Sequence, residues 1–125
     1  MKKNRRTITV DGNKYVWWYG TGAGLCAVTI SPFEDKTSRV RIKFQDTECD
    51  HDYRYGFTYP LYVELEKDRG QRRLKLIEPG MAALLTMYIS RRELFKTRKE
   101  ITLYGYELLA DMGYDIVRIE NGFEF

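Results

Sequence analysis

Several residue types on which small proteins build their chemistry are scarce in this chain. Among 125 residues there are two cysteines, one histidine and three prolines, and serine occurs only at Ser31, Ser38 and Ser90. Cys26 and Cys49 cannot supply the multi-bridge framework of a disulfide-stapled domain, and they read as two free thiols in a reducing compartment. Their spacing matches no zinc framework, and the single histidine, His51, excludes a two-histidine zinc site within one subunit. No serine sits in a Gly-x-Ser-x-Gly elbow, so serine-hydrolase chemistry lacks its usual signature. Long apolar runs are also absent. The longest, around Met81–Ile89, falls far short of the roughly 20 residues that span a bilayer. The basic start Met1-Lys2-Lys3-Asn4-Arg5-Arg6 leads into Thr7-Ile8-Thr9-Val10 rather than into an apolar signal core. These absences predict a soluble, cytoplasmic protein with no metal and no cofactor, and with no membrane among its partners.

What is present describes a folded domain. Hydrophobic residues make up 43% of the chain, aromatics 14% and charged residues 31%, and disordered chains lack that aromatic content. A chain this long buries roughly 68% of the surface it exposes when unfolded, enough for one core. No repeat, low-complexity tract or linker interrupts it, and residues 1–125 read as one globular domain.

Ile8 and Val10 alternate with Thr7 and Thr9, and Asp11-Gly12 then precedes Lys14-Tyr15-Val16-Trp17-Trp18-Tyr19. Asp-Gly between two β-prone runs predicts a hairpin. Ile8, Val10, Tyr15 and Trp17 then share one face, with Val16 and Trp18 on the other. Gly20-Thr21-Gly22-Ala23-Gly24 reads as a flexible hairpin loop, and Leu25–Ile30 as a third strand stopped by Ser31-Pro32. Val40, Ile42 and Phe44 alternate with Arg39, Arg41, Lys43 and Gln45, which gives one buried face and one basic face. Asp46–Tyr59 reads as a long loop rich in acids and tyrosines. Leu61, Val63 and Leu65, a polar turn at Lys67-Asp68-Arg69-Gly70-Gln71, and Leu74 and Leu76 form a second hairpin.

Pro79 then opens a helix, with Met81, Leu84, Leu85, Tyr88 and Ile89 at helical spacing. Ser90-x-x-Glu93 and Thr97-x-x-Glu100 are capping-box patterns that predict a stop and a restart. Ile101, Tyr104, Leu108 and Met112 line one face of a second helix, weakened by Gly105 and capped by Gly113; the spacing leaves open whether 98–112 is one continuous helix. Ile116–Ile119 is a late short strand, and Glu120-Asn121-Gly122-Phe123 a last turn. The expected class is α+β. An antiparallel meander of about five to seven strands carries two C-terminal helices on one face, followed by the late strand.

The run Val10-Asp11-Gly12-x-x-Tyr15-x-Trp17-Trp18, a glycine-rich bend and Ser31-Pro32-x-x-x-Lys36 resemble the opening of a family of small uncharacterised bacterial proteins. In that family a strand ends in Thr-Pro and leads into a helix; the equivalent here is Glu78-Pro79-Gly80-Met81. The resemblance spans most of the first ninety residues. The Asp46–Tyr59 loop and the second helix depart from it. It implies a small bacterial domain and assigns no functional residue.

Candidate chemistry is thin. Gly20–Gly24 leads into a strand rather than a helix N-terminus, and no Gly-Lys-Ser/Thr follows, which argues against a phosphate cradle. Asp46, Glu48, Cys49, Asp50, His51 and Asp52 crowd possible ligands together, but their spacing lacks the glycine and closing glutamate of a calcium loop. Cys49 and His51 are the single Cys/His pair, and the acids around them would raise the thiol's pKa rather than lower it. An enzyme using His51 is therefore the third-ranked reading.

Binding readings rank higher. Ten tyrosines are present, four of them between Tyr53 and Tyr62, and Tyr and Trp are enriched at interface hot spots. A protein-interaction domain, binding a protein partner or its own copy, would use Trp18, Tyr19, Tyr53, Tyr55, Tyr59 and Tyr62. The alternative is a nucleic-acid-binding accessory protein. The net charge of +3 hides an asymmetry, because residues 1–20 and 91–100 are basic while residues 101–125 hold five acids against one base. That reading uses Lys2, Lys3, Arg5, Arg6, Arg39, Arg41, Lys43, Arg91, Arg92, Arg98 and Lys99. The pI near 8.8 lies just below that of domains that live by phosphate contact.

Overall fold

A computed structural model describes residues 5–45 and 57–124. Strands β1 (Arg6–Val10) and β2 (Asn13–Gly22) form the expected hairpin, with Val10 opposite Asn13. Asp11 (φ 51°) and Gly12 (φ 80°) both take the left-handed conformation that a two-residue hairpin turn needs. Ile8 pairs with Tyr15 and Thr7 with Val16, so the two faces separate as the alternation predicts.

Strand β3 (Leu25–Pro32) corrects the glycine-rich loop. Gly20, Thr21 and Gly22 are ladder residues opposite Ala27, Cys26 and Leu25, and the turn is only Ala23-Gly24. Glycine keeps both backbone hydrogen-bonding groups, so a paired neighbour can hold it in a strand despite its low propensity. Strand β4 (Arg39–Gln45) pairs antiparallel with β3, and Val40, Ile42 and Phe44 are wholly buried.

A second, three-stranded sheet has the order β6-β5-β8. Strands β5 (Phe57–Lys67) and β6 (Gly70–Lys75) make the second hairpin. Residues 57–59, expected in the long loop, belong to β5, and the rest of that loop lies outside the described residues. Helix α1 (Pro79–Arg91) follows, with Met81, Leu84, Leu85 and Ile89 buried. It runs straight through Ser90, whose hydroxyl donates back to the Met87 carbonyl rather than capping a new helix.

The 98–112 stretch is not one continuous helix but two elements. Strand β7 (Glu100–Tyr104) joins the first sheet parallel to β4, and helix α2 (Gly105–Asp111) starts where it ends. Ile101 and Leu103 turn inward while Glu100, Thr102 and Tyr104 are exposed. Ile101 fits both the helical spacing and the strand alternation with Leu103, and the open edge of β4 decides for the strand. Gly113 (φ 91°) ends α2 as expected, with Gly113 N donating to the Ala110 carbonyl and Tyr114 N to the Leu109 carbonyl.

Strand β8 (Asp115–Glu124) corrects the last expectation. It is ten residues long and pairs with β5 beyond Phe123, so the expected short strand and last turn are one continuous strand. The described residues thus hold eight strands rather than five to seven, in the five-stranded order β1-β2-β3-β4-β7 beside the three-stranded sheet. The class is α+β with mostly antiparallel pairing. Trp17, Val28, Ile42 and Phe44 from the first sheet, Val63 and Leu65 from the second, Met81 and Leu85 from α1, and Leu109 from α2 form one buried cluster. No helix among the described residues is long and apolar enough to cross a membrane.

Candidate functional site

The helices and the three-stranded sheet cover one face of the five-stranded sheet. The other face carries the chain's clearest collection of charge. Because Val40, Ile42 and Phe44 are buried inward, Arg39, Arg41 and Lys43 must project the opposite way. Register then fixes their neighbours. Trp18 lies opposite Thr29, Thr29 opposite Arg41, and Arg41 opposite Thr102. The next row runs Gly20, Ala27, Lys43, Tyr104. Trp18 and the basic residues of β4 therefore share this outer face.

Trp18 is a platform for cations. The Arg5 guanidinium carbon stands 4.4 Å from its ring centroid and that of Arg39 5.5 Å. Cation–π attraction on this scale contributes roughly 0.5–1 kcal/mol per pair at exposed sites. Trp18 is only 5% exposed, so the surface a ligand meets is guanidinium rather than indole. The floor beside it is made of small residues, Gly20, Ala27 and Thr29.

Little opposes that charge. Among the described residues the ion pairs are Arg73–Glu120, Arg91–Asp11 and Arg118–Glu120, all elsewhere. Glu100, opposite Arg39, is the one acid in the paired rows around Trp18 and Lys43. Asp35, in the loop before β4, accepts hydrogen bonds from the Ser38 hydroxyl (2.5 Å) and the Thr37 hydroxyl (2.6 Å). Those bonds hold its carboxyl below the usual aspartate range. They also fix the loop that aims Arg39, whose Nε donates to the Lys36 carbonyl.

The basic residues singled out in the sequence divide. Arg5, Arg39, Arg41 and Lys43 come together. Arg98 and Lys99 arrive next to them, with Arg98 N donating to Ser38 Oγ and the Lys99 carbonyl accepting from Arg39 N. Arg6 lies on the opposite face, over Trp17 at 5.6 Å. Arg91 pairs with Asp11 at 3.4 Å and Arg92 sits over Tyr88 at 5.0 Å, both at the far end of α1. Lys2 and Lys3 lie outside the described residues.

The aromatic set does not form one surface. Tyr19 is on the inner face, against Trp17 and the core, opposite in direction to Trp18. Tyr59 packs against the core near Gly122. Tyr62 lies on the second sheet beneath Arg73 (4.1 Å) and Lys75 (5.9 Å). Tyr53 and Tyr55, with Asp46, Glu48, Cys49, Asp50, His51 and Asp52, lie outside the described residues.

Two aromatics missed in the sequence do border the basic face. Tyr104 is 54% exposed beside Lys43; its assignment to a helix hid it. Phe33, just past β3, is 41% exposed and carries Lys14 (4.2 Å) and Lys36 (5.4 Å) over its ring. Lys14 projects on the outer face, opposite Thr9. From Lys14 to the Gly20 row the face extends roughly 20 Å along the strands.

The concave sites are less suggestive. A cleft of about 340 Å³ between the helices is lined by Lys67, Tyr88, Arg91, Asp111 and Tyr114 among others. One of about 410 Å³ lies between the first hairpin turn and Phe95. In the first, the Tyr88 hydroxyl donates to Asp111 Oδ2 at 3.5 Å, a long contact on the surface. Cys26 is buried in the core, and that burial pushes its thiol up to about 12, far from a reactive thiolate.

The chain matches no family model, no curated protein and no solved structure.

Proposed function

We propose that this protein is a non-catalytic binding domain that holds a nucleic-acid strand by its phosphates along the outer face of the five-stranded sheet. The observation that supports this reading is the convergence of Arg5 and Arg39 on Trp18, in line with Arg41 and beside Lys43. Four cations, none of them in an ion pair among the described residues, form a phosphate-binding surface that needs no base readout. Tyr104 and Phe33 at its two ends supply rings on which unpaired bases can stack. A single strand suits this better than a duplex, because the face is broad rather than a protruding element that could enter a groove.

Fluorescence anisotropy with a labelled single-stranded oligonucleotide of mixed sequence tests this. Affinity should fall with salt at a log–log slope of about −3, the value for four neutralised phosphates on a single strand. Replacing Arg41 and Lys43 together by glutamine should lower affinity and flatten that slope by about half. The same change at Arg91 and Arg92, away from the face, should leave both unchanged. No binding at low salt, or the opposite pattern between the two variants, refutes the reading.

A protein partner, the reading the ten tyrosines favour in the sequence, retains one specific observation: the exposed Val117, Ile119 and Phe123 on β8.

A further inference from the structure

We infer that the cleft between α1 and α2 binds a free α-amino acid with an apolar side chain. The cleft holds about 340 Å³, at the low end of the roughly 300–1,000 Å³ usual for small-molecule sites. That volume suits a molecule of amino-acid size. Its base is apolar and continuous with the core. Leu84 is 9% exposed and belongs to the buried cluster, and Met87 on α1 and Met112 at the C-terminal cap of α2 pack against that cluster. Tyr88 and Tyr114 also pack against it and add two aromatic walls. Thioethers and tyrosine rings are adaptable, polarisable contacts for an aromatic or long aliphatic side chain.

The charges that line the cleft are not equally engaged. Lys67 donates from its ammonium to the Met112 carbonyl at 2.7 Å and lies 4.9 Å from the Tyr114 ring centroid. Arg91 pairs with Asp11 at 3.4 Å. Arg92 and Asp111 have no such partner. Both are exposed, and neither is in an ion pair among the described residues. The Arg92 guanidinium carbon stands 5.0 Å from the Tyr88 ring centroid, and the Tyr88 hydroxyl reaches Asp111 Oδ2 only at 3.5 Å. Two opposite charges thus adjoin one tyrosine ring without meeting each other.

That arrangement selects the ligand. A simple anion would gain Arg92 but meet the Asp111 carboxylate. A simple cation would gain Asp111 but meet Arg92 and Lys67. A zwitterion satisfies both: its carboxylate accepts from the guanidinium fork and its ammonium donates to Asp111, each a charge-assisted hydrogen bond. An α-amino acid carries both groups on one carbon, which leaves its side chain to cover Leu84 and the two methionines. An apolar side chain gains from that burial, whereas a polar one would lose its water there. The cleft lies on the opposite side of the five-stranded sheet from the basic face, and its ligand does not depend on that reading.

Titration calorimetry of the full chain with L-phenylalanine tests this, backed by ligand-observed magnetic resonance for the weaker probes. L-phenylalanine should bind, and three probes that each lack one recognised part should bind at least about tenfold more weakly. These are phenethylamine, which lacks the carboxylate, phenylpropionate, which lacks the ammonium, and glycine, which lacks the side chain. Two variants assign the charges. Arg92→Gln should remove the preference for L-phenylalanine over phenethylamine and keep the preference over phenylpropionate. Asp111→Asn should do the reverse. Both side chains are exposed, so circular dichroism should be unchanged. No binding at millimolar L-phenylalanine, an equal response to glycine, or phenylpropionate bound as tightly as L-phenylalanine overturns the proposal. So do preferences that survive both variants.

Discussion

At the scale of single residues, the β5–β6 turn stores a cost the β1–β2 turn avoids. Both are two-residue turns with both corner residues left-handed. In the first, glycine takes the second corner. In the other, Asp68 (φ 52°) is followed by Arg69 (φ 66°), while Gly70 is already the first residue of β6, opposite Lys67. The turn was legible from the polar run Lys67–Gln71, but which two of its residues form the corner was not. A left-handed L-residue costs roughly 1–2 kcal/mol, and glycine returns part of that gain through a more flexible unfolded chain. Arg69→Gly should therefore stabilise the protein by about 0.5–1 kcal/mol and raise the thermal midpoint by about 2–5 °C. An unchanged or lower midpoint in a thermal melt would show that the turn carries no such strain.

At the scale of elements, α1 and the strands of the first hairpin were readable because each announces itself locally, by proline at N1 or by Asp-Gly between alternating runs. The 98–112 stretch was not, because Ile101, Tyr104 and Leu108 satisfy a helical spacing while Ile101 and Leu103 satisfy a strand spacing. What decides between them is the free edge of β4, about sixty residues earlier in the chain. Gly105 marks the changeover. A Cβ there would clash with the edge of the wholly buried Phe44 ring, so glycine permits close approach rather than merely weakening a helix. Gly80, in the first turn of α1, would meet nothing nearer than Leu74 at 4.0 Å. The same substitution should then have opposite signs. Gly105→Ala should destabilise by about 2–3 kcal/mol through overpacking, and Gly80→Ala should stabilise by about 0.5–1 kcal/mol through helix propensity. Chemical denaturation of the two variants reads this directly, and equal effects would refute the packing argument.

At the scale of the molecule, the basic strand face was legible from the alternation of β4 alone. Its partners were not, since Arg5, Trp18 and Tyr104 reach it only through pairings across three other strands. The same distance in sequence separates the parts of the core. Leu65 of the three-stranded sheet is 1% exposed and belongs to the cluster that holds Trp17, Ile42 and Phe44 of the other sheet. If the cluster acts as one, a defect in one sheet is felt by both. Leu65→Ala should cost about 2–5 kcal/mol, the usual loss for a buried leucine that leaves a cavity. Both tryptophans of the chain lie in β2, so their fluorescence follows the five-stranded sheet, whereas far-ultraviolet circular dichroism follows all elements. In the variant the two signals should move together to a midpoint lower by roughly 10 °C, as a single cooperative transition requires. A fluorescence transition that stays in place while circular dichroism splits into two steps would show that each sheet folds on its own core. The rigid floor beneath the basic face would then owe nothing to the second sheet.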